Sequence, residues 1–118
     1  IQSLIIPFKD VKDCMIWARF NGTGSMRPVI YKDTITIGIK SKCLDPSEIN
    51  KGDIIIFNGK RIFDSEQAMV GHQVIDTVKC SNDISKTCYI TKGIYNNHID
   101  PKEVRFEEVI MKITLINF

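Results

Sequence analysis

The chain has no apolar run near the roughly 18 to 20 residues that cross a bilayer as a helix, and its 118 residues include one Trp and only two histidines. It also lacks an excess of either charge. Sixteen Lys plus Arg face fourteen Asp plus Glu, and the basic residues are scattered instead of gathered in a stripe, which argues against a nucleic-acid surface. No internal repeat, low-complexity tract or Gly/Ser linker divides residues 1–118, so a single domain with one core is expected. The four cysteines, Cys14, Cys43, Cys80 and Cys88, contain no Cys-x-x-Cys pair and no accompanying His cluster. A zinc site is therefore not expected, nor any other metal or cofactor.

What the chain has in quantity is isoleucine, 21 residues in all, whose branched side chain suits a pleated sheet better than a helix. Thr34 to Lys40 alternates apolar and small or polar residues, Asp53 to Phe57 is a continuous buried run, and Val70 to Val78 continues in the same manner. Further strands are expected at Cys88 to Thr91 and Val109 to Ile116, between turn-rich pieces such as Asp45-Pro46-Ser47 and Asn58-Gly59-Lys60. Helical spacing occurs only near the start, where Phe8, Val11 and Met15 point to a short helix or a strand-like lead-in. The fold class expected is mainly β, a coiled sheet or small, partly open barrel with little helix. Cys80 and Cys88 bracket a polar turn between two of these strands, so a hairpin disulfide and a pair of reduced thiols both remain open; the disulfide would imply an oxidising compartment.

One short segment carries chemistry. In Gly22-Thr23-Gly24-Ser25-Met26-Arg27-Pro28 a serine stands on a turn, where Gly24 allows close approach of the backbone to a substrate carbonyl and Pro28 fixes the exit. Forty-seven residues later comes His72, within Gly71-His72-Gln73-Val74-Ile75, and strand alternation places it on the face of Val70 and Val74. Nucleophilic serine chemistry needs a base, a group that orients the base, and donors for the oxyanion. Ser25 is the candidate nucleophile, His72 the candidate base and Asp100 the candidate group that orients it. The Ser25 N–H and the Thr23 hydroxyl are candidates for the oxyanion hole, and Gly24, Met26 and Pro28 for contact with substrate. The other histidine, His98, lies in a polar turn and is expected in solvent. Lys79, seven residues beyond His72 and beside Asp76 and Cys80, does not look like a buried lysine base. Asn21-Gly22-Thr23 fits a glycosylation pattern, though beside the nucleophile it is expected to stay unmodified.

Taken together, these segments resemble the type I signal peptidases, in particular the archaeal and endoplasmic-reticulum kind that use histidine where the main bacterial kind uses lysine. Gly24-Ser25-Met26-Arg27-Pro28 is similar to the family's serine box and Lys51-Gly52-Asp53-Ile54-Ile55-Ile56-Phe57 to the strand that follows it. Gly71-His72-Gln73-Val74-Ile75 resembles the histidine box, and Tyr89-Ile90-Thr91-Lys92-Gly93 leads into the acidic box. The resemblance implies a signal-peptidase-like β catalytic domain that removes the signal peptides of secretory precursors. Its substrate would bind as an extended strand with small side chains at the first and third positions before the cut. It further implies a membrane anchor preceding the serine box and missing from this piece, a catalytic domain on the extracytoplasmic or lumenal side, and room for partner subunits. The chain begins Ile1-Gln2-Ser3 without an initiator Met, as expected of a soluble fragment. One departure is visible: Ile94 stands where the family's first acidic residue would be, leaving Asp100 in the place of the second. Two other readings remain, a catalytically silent β domain that binds extended peptides or partner subunits, and a LexA-type self-cleaving peptidase, which would need a lysine base.

Overall fold

The computed structural model describes residues 11–20, 24–66 and 69–117. Among these residues seven strands form one antiparallel sheet: β1 (Met15–Arg19), β2 (Ile35–Lys40), β3 (Ile54–Asn58), β4 (Met69–Lys79), β5 (Thr87–Lys92), β6 (Val104–Arg105) and β7 (Val109–Asn117). Two one-turn helices, α1 (Val11–Cys14) and α2 (Lys60–Phe63), complete the regular structure together with short 3-10 turns. The strand order is β1-β2-β7-β3-β4-β5-β6. The sheet is thus open, with β1 and β6 at its edges; of the two forms expected, a coiled sheet or a partly open barrel, the fold is a mainly β sheet not closed into a barrel. β6 is only two residues long and runs straight into the 3-10 turn at Phe106–Glu108. The lead-in expected near the start divides into α1 and then β1, which pairs with β2. Among the described residues no helix is long and apolar enough to cross a membrane.

The central strand explains why its sequence is continuously apolar. β3 pairs with β4 on one side and β7 on the other, and strand alternation sends its side chains to opposite faces, each of which is covered. Ile55 and Phe57 enter one core with Ile49, Ile62, Val74, Tyr89, Val104 and Val109. Ile56 enters a second with Met26, Ile30, Met111 and Ile113. The expectation of one core therefore gives way to two apolar layers on a single sheet. Tyr89 is fully buried and donates its hydroxyl to the Pro46 carbonyl at 2.6 Å; burial, with a smaller contribution from Asp45, pushes that phenol up to about 12.

All four cysteines are paired. Cys80–Cys88 closes the β4–β5 hairpin, and Cys14–Cys43 ties α1 to the segment after β2, a link the sequence did not suggest. The second cross-link spans 29 residues against eight. Because a longer closed loop removes more entropy from the unfolded chain, Cys14→Ala/Cys43→Ala is expected to destabilise by about 1 kcal/mol more than Cys80→Ala/Cys88→Ala. Urea unfolding of the two variants measures the difference.

α2 is held by a two-pronged ion pair: Arg61 Nε and Nη2 donate to Glu108 Oε2 and Oε1, each at 2.8 Å, and Nη2 also donates to the Glu103 carbonyl at 2.7 Å. Burial works against the Glu108 carboxylate, but hydrogen bonds from Arg61 and from the Arg105 N–H outweigh it and hold the group below its ordinary range. A carboxyl depressed by folding stabilises above its ordinary titration and loses that contribution as pH falls through the depressed value. Glu108→Gln is expected to cost about 1 kcal/mol at neutral pH, with the gap to the parent narrowing as pH falls through the depressed titration. Urea midpoints across an acid titration test this, and equal midpoints at neutral pH would refute it.

Candidate functional site: a serine, histidine and aspartate in line

Ser25 lies on the connection between β1 and β2, whose ends are tied by Phe20 N–H to Thr34 O (2.9 Å) and Asp33 N–H to Phe20 O (2.6 Å). The turn begins at Gly24, whose φ of +93° is a conformation that L side chains rarely adopt. It tightens through Arg27 N–H to Gly24 O, then coils so that Val29 N–H and Ile30 N–H both reach Met26 O. That coil turns Met26 and Ile30 inward together. Met26, expected from the sequence as a substrate contact, is 3% exposed and packed in the second core. Its side chain anchors the turn from within that apolar layer. Pro28 is exposed, follows a cis peptide bond and remains on the surface with Gly24 partly open beside Ser25. Thr23, the second oxyanion candidate, and the Asn21-Gly22-Thr23 pattern lie outside the described residues.

His72 occupies the interior of β4, opposite Ile55 of β3, and is 6% exposed. Its ring meets Phe57 and Phe63 edge-on, with centroids 6.3 and 6.0 Å away. α2 supplies Phe63, so the Arg61–Glu108 pair that holds this helix also supports one wall around the imidazole. The two ring nitrogens are both engaged. Nε2 is 3.2 Å from Ser25 Oγ and Nδ1 is 2.7 Å from Asp100 Oδ2. Asp100 is 8% exposed, and its own N–H donates to Thr91 O at 2.8 Å. Three residues separated by 47 and 28 positions thus form one hydrogen-bonded line. A proton on Nδ1 donated to Asp100 leaves Nε2 as an acceptor facing the serine hydroxyl, the arrangement a general base requires.

The segment after β5 braces the serine. Tyr95 N–H donates to Ser25 O at 2.7 Å, and Asn96 N–H to Gly93 O at 2.9 Å. Lys92 is partly buried, and its ammonium donates to the carbonyls of Gly93 (3.0 Å), Ile94 (3.1 Å) and Asn96 (2.7 Å). Ile94 packs against the second core. This loop is therefore fastened by an ammonium on main-chain carbonyls and by apolar burial. Lys92 and Tyr95 were not singled out from sequence; an ammonium satisfied by carbonyls leaves no charge-pair signature to read. Lys79, at the end of β4, is exposed, as is His98. A separate cleft of about 420 Å³ between Pro46, Cys80, Lys86 and Arg105 has none of Ser25, His72 or Asp100 in its lining. Cys80, Cys88 and Glu103 bring three potential metal donors together, but both sulfurs belong to the disulfide.

Searches of protein-family models, curated proteins and solved structures returned no significant match to this chain.

Gly93 is a tightly enclosed point beside Ser25. A Cβ there would lie 2.6 Å from Asn96 Nδ2, 2.8 Å from Ser25 O and 2.9 Å from Ser25 Cβ, closer than real contacts allow. Gly93→Ala is expected to push the loop and Ser25 apart and to destabilise by about 1–3 kcal/mol. A thermal-unfolding midpoint equal to the parent's would show that the backbone absorbs the methyl group.

Proposed function

We propose that this chain is the catalytic domain of a serine endopeptidase of the type I signal peptidase kind, in which Ser25 attacks the scissile carbonyl of a signal-bearing precursor. The single observation that carries the reading is the unbroken line from Ser25 Oγ through His72 to Asp100. His72 Nε2 takes the hydroxyl proton as the Oγ–carbon bond forms, and later delivers it to the leaving amine. Asp100 holds the ring by Nδ1 and balances the charge of the imidazolium. The Ser25 N–H is the proposed donor to the oxyanion, with Thr23 as its companion. Water then hydrolyses the acyl-enzyme by the same proton route in reverse.

The two disulfides suit a catalytic domain on the extracytoplasmic or lumenal side. The substrate class, the membrane attachment and a signal-peptidase-like fold rest on the resemblance of the serine and histidine segments. A LexA-type reading is less favoured, because the hydroxyl of Ser25 meets a histidine while Lys92 is occupied by three carbonyls. A silent peptide-binding domain has in its favour only Ile94 at the acidic place.

Cleavage of a purified signal-bearing precursor in detergent tests the proposal. Site-specific cutting is expected from the parent, with a loss of about 10³-fold or more in both Ser25→Ala and His72→Ala. The rate is expected to fall on acidification, since only the neutral imidazole accepts the serine proton. Labelling of Ser25 by a serine-reactive acylating reagent would support an enzyme. Peptide binding without labelling, or cutting undiminished by Ser25→Ala, would overturn it.

A further inference from the structure

Asp100 is gripped from a second side. Thr91, the penultimate residue of β5, is wholly buried, and its Oγ1 donates to Asp100 Oδ2 at 2.7 Å. This is the same oxygen that lies 2.7 Å from His72 Nδ1. The Thr91 carbonyl meanwhile accepts the Asp100 N–H. One residue thus fixes both the main chain and the carboxylate of Asp100. The placement follows from register: Thr91 pairs with Val74, which shares its face of β4 with His72, two residues away. A buried threonine hydroxyl needs some acceptor in any fold. Its choice of the oxygen already facing the imidazole is what gives it a consequence. Two donors converging on Oδ2 define the rotation of the carboxylate about its Cβ–Cγ bond, and with it the direction from which the ring is held.

We infer that Thr91 is a positioning residue of this site, acting through Asp100 to fix the orientation and hydrogen bonding of the His72 ring. The inference rests on the peptidase reading for its effect on rate, although the geometric part stands apart from it. With the hydroxyl gone, Oδ2 keeps only the ring as a donor, and the carboxylate is free to turn its other oxygen toward Nδ1 or away from it. The position of the imidazole then varies, and Nε2 faces the serine hydroxyl for a smaller part of the time. Substrate contacts are untouched, so the loss belongs in kcat.

The decisive comparison is Thr91→Val, which keeps the branched shape suited to a strand, against Thr91→Ser, which keeps the hydroxyl. Thermal unfolding of each confirms that it folds. Proton NMR of the His72 Nδ1–H, expected far downfield because it is shared with a carboxylate, reports ring geometry without any substrate. Thr91→Val is expected to shift or broaden that resonance and to lower kcat for precursor cleavage about tenfold or more with KM unchanged, while Thr91→Ser restores both. An unaltered resonance in Thr91→Val would overturn the inference, as would a Thr91→Ser variant no better than valine, which would assign the effect to methyl packing. If the parent itself cuts no precursor, the peptidase reading fails, and the resonance still decides whether Thr91 sets the ring.

Discussion

The pairing of β4 with β3 on one side and β5 on the other is the constraint from which the site is built. β3 brings Phe57 to the edge of the His72 ring and gives the strand its apolar backing. β5 delivers Thr91 and Lys92, and the chain leaving it returns with Asp100. Ser25 arrives from elsewhere, on the β1–β2 connection, and reaches the imidazole because Met26 and Ile30 sink into the second apolar layer beneath it. The serine is thus located by burial of its neighbours and the histidine by ladder hydrogen bonds. Only the last step, from Oγ to Nε2, belongs to the chemistry itself.

The Lys92 loop shows how main-chain groups substitute for side-chain charge. An ammonium spread over three carbonyls fixes the path of residues 93–96, and that path presents the Tyr95 N–H to the serine carbonyl. A carboxylate at position 94 would be poorly suited to the place Ile94 takes against the apolar layer, because a charge there would have to be desolvated. With isoleucine at 94 the loop is held by apolar burial and the Lys92 ammonium, while Asp100, six residues on, makes the contact with the ring.

Strand positions, Ser25 and His72 were legible because they depend on local pattern: alternation around His72, the continuous run of β3, and a glycine before a turn serine; Asp100, in an Asp-Pro turn, was pointed to by the resemblance rather than by its surroundings. The inward face of Met26 was not legible, since it follows from a coil that the residues 24–30 form only through Met26 O accepting two N–H groups. The Cys14–Cys43 cross-link escaped for a similar reason, because it joins segments brought together by β1–β2 pairing rather than by a short turn. Thr91 carried a faint signal: alternation from Tyr89 places its hydroxyl on a buried face, where it must find an acceptor, but sequence does not say which. The edge strand β6 was not expected, because its two residues leave no pattern long enough to read.

β4 also contains an irregularity between Val74 and Asp76, where Ile75 is left out of the pairing with β5. One surplus residue exchanges the parity of the strand, so the side of the sheet held by even positions at His72 and Val74 is held beyond it by the odd position Thr77, opposite Tyr89. The two halves of β4 are consequently out of phase, and the length of the strand becomes a fixed quantity. Residues can be gained or lost in the Ser81–Ser85 turn without disturbing the ring of His72, whereas a single-codon deletion at Ile75 forces either the hairpin or the histidine onto the wrong side of the sheet. Among descendants of this sequence, insertions and deletions should therefore collect at the hairpin tip and be absent from the strand.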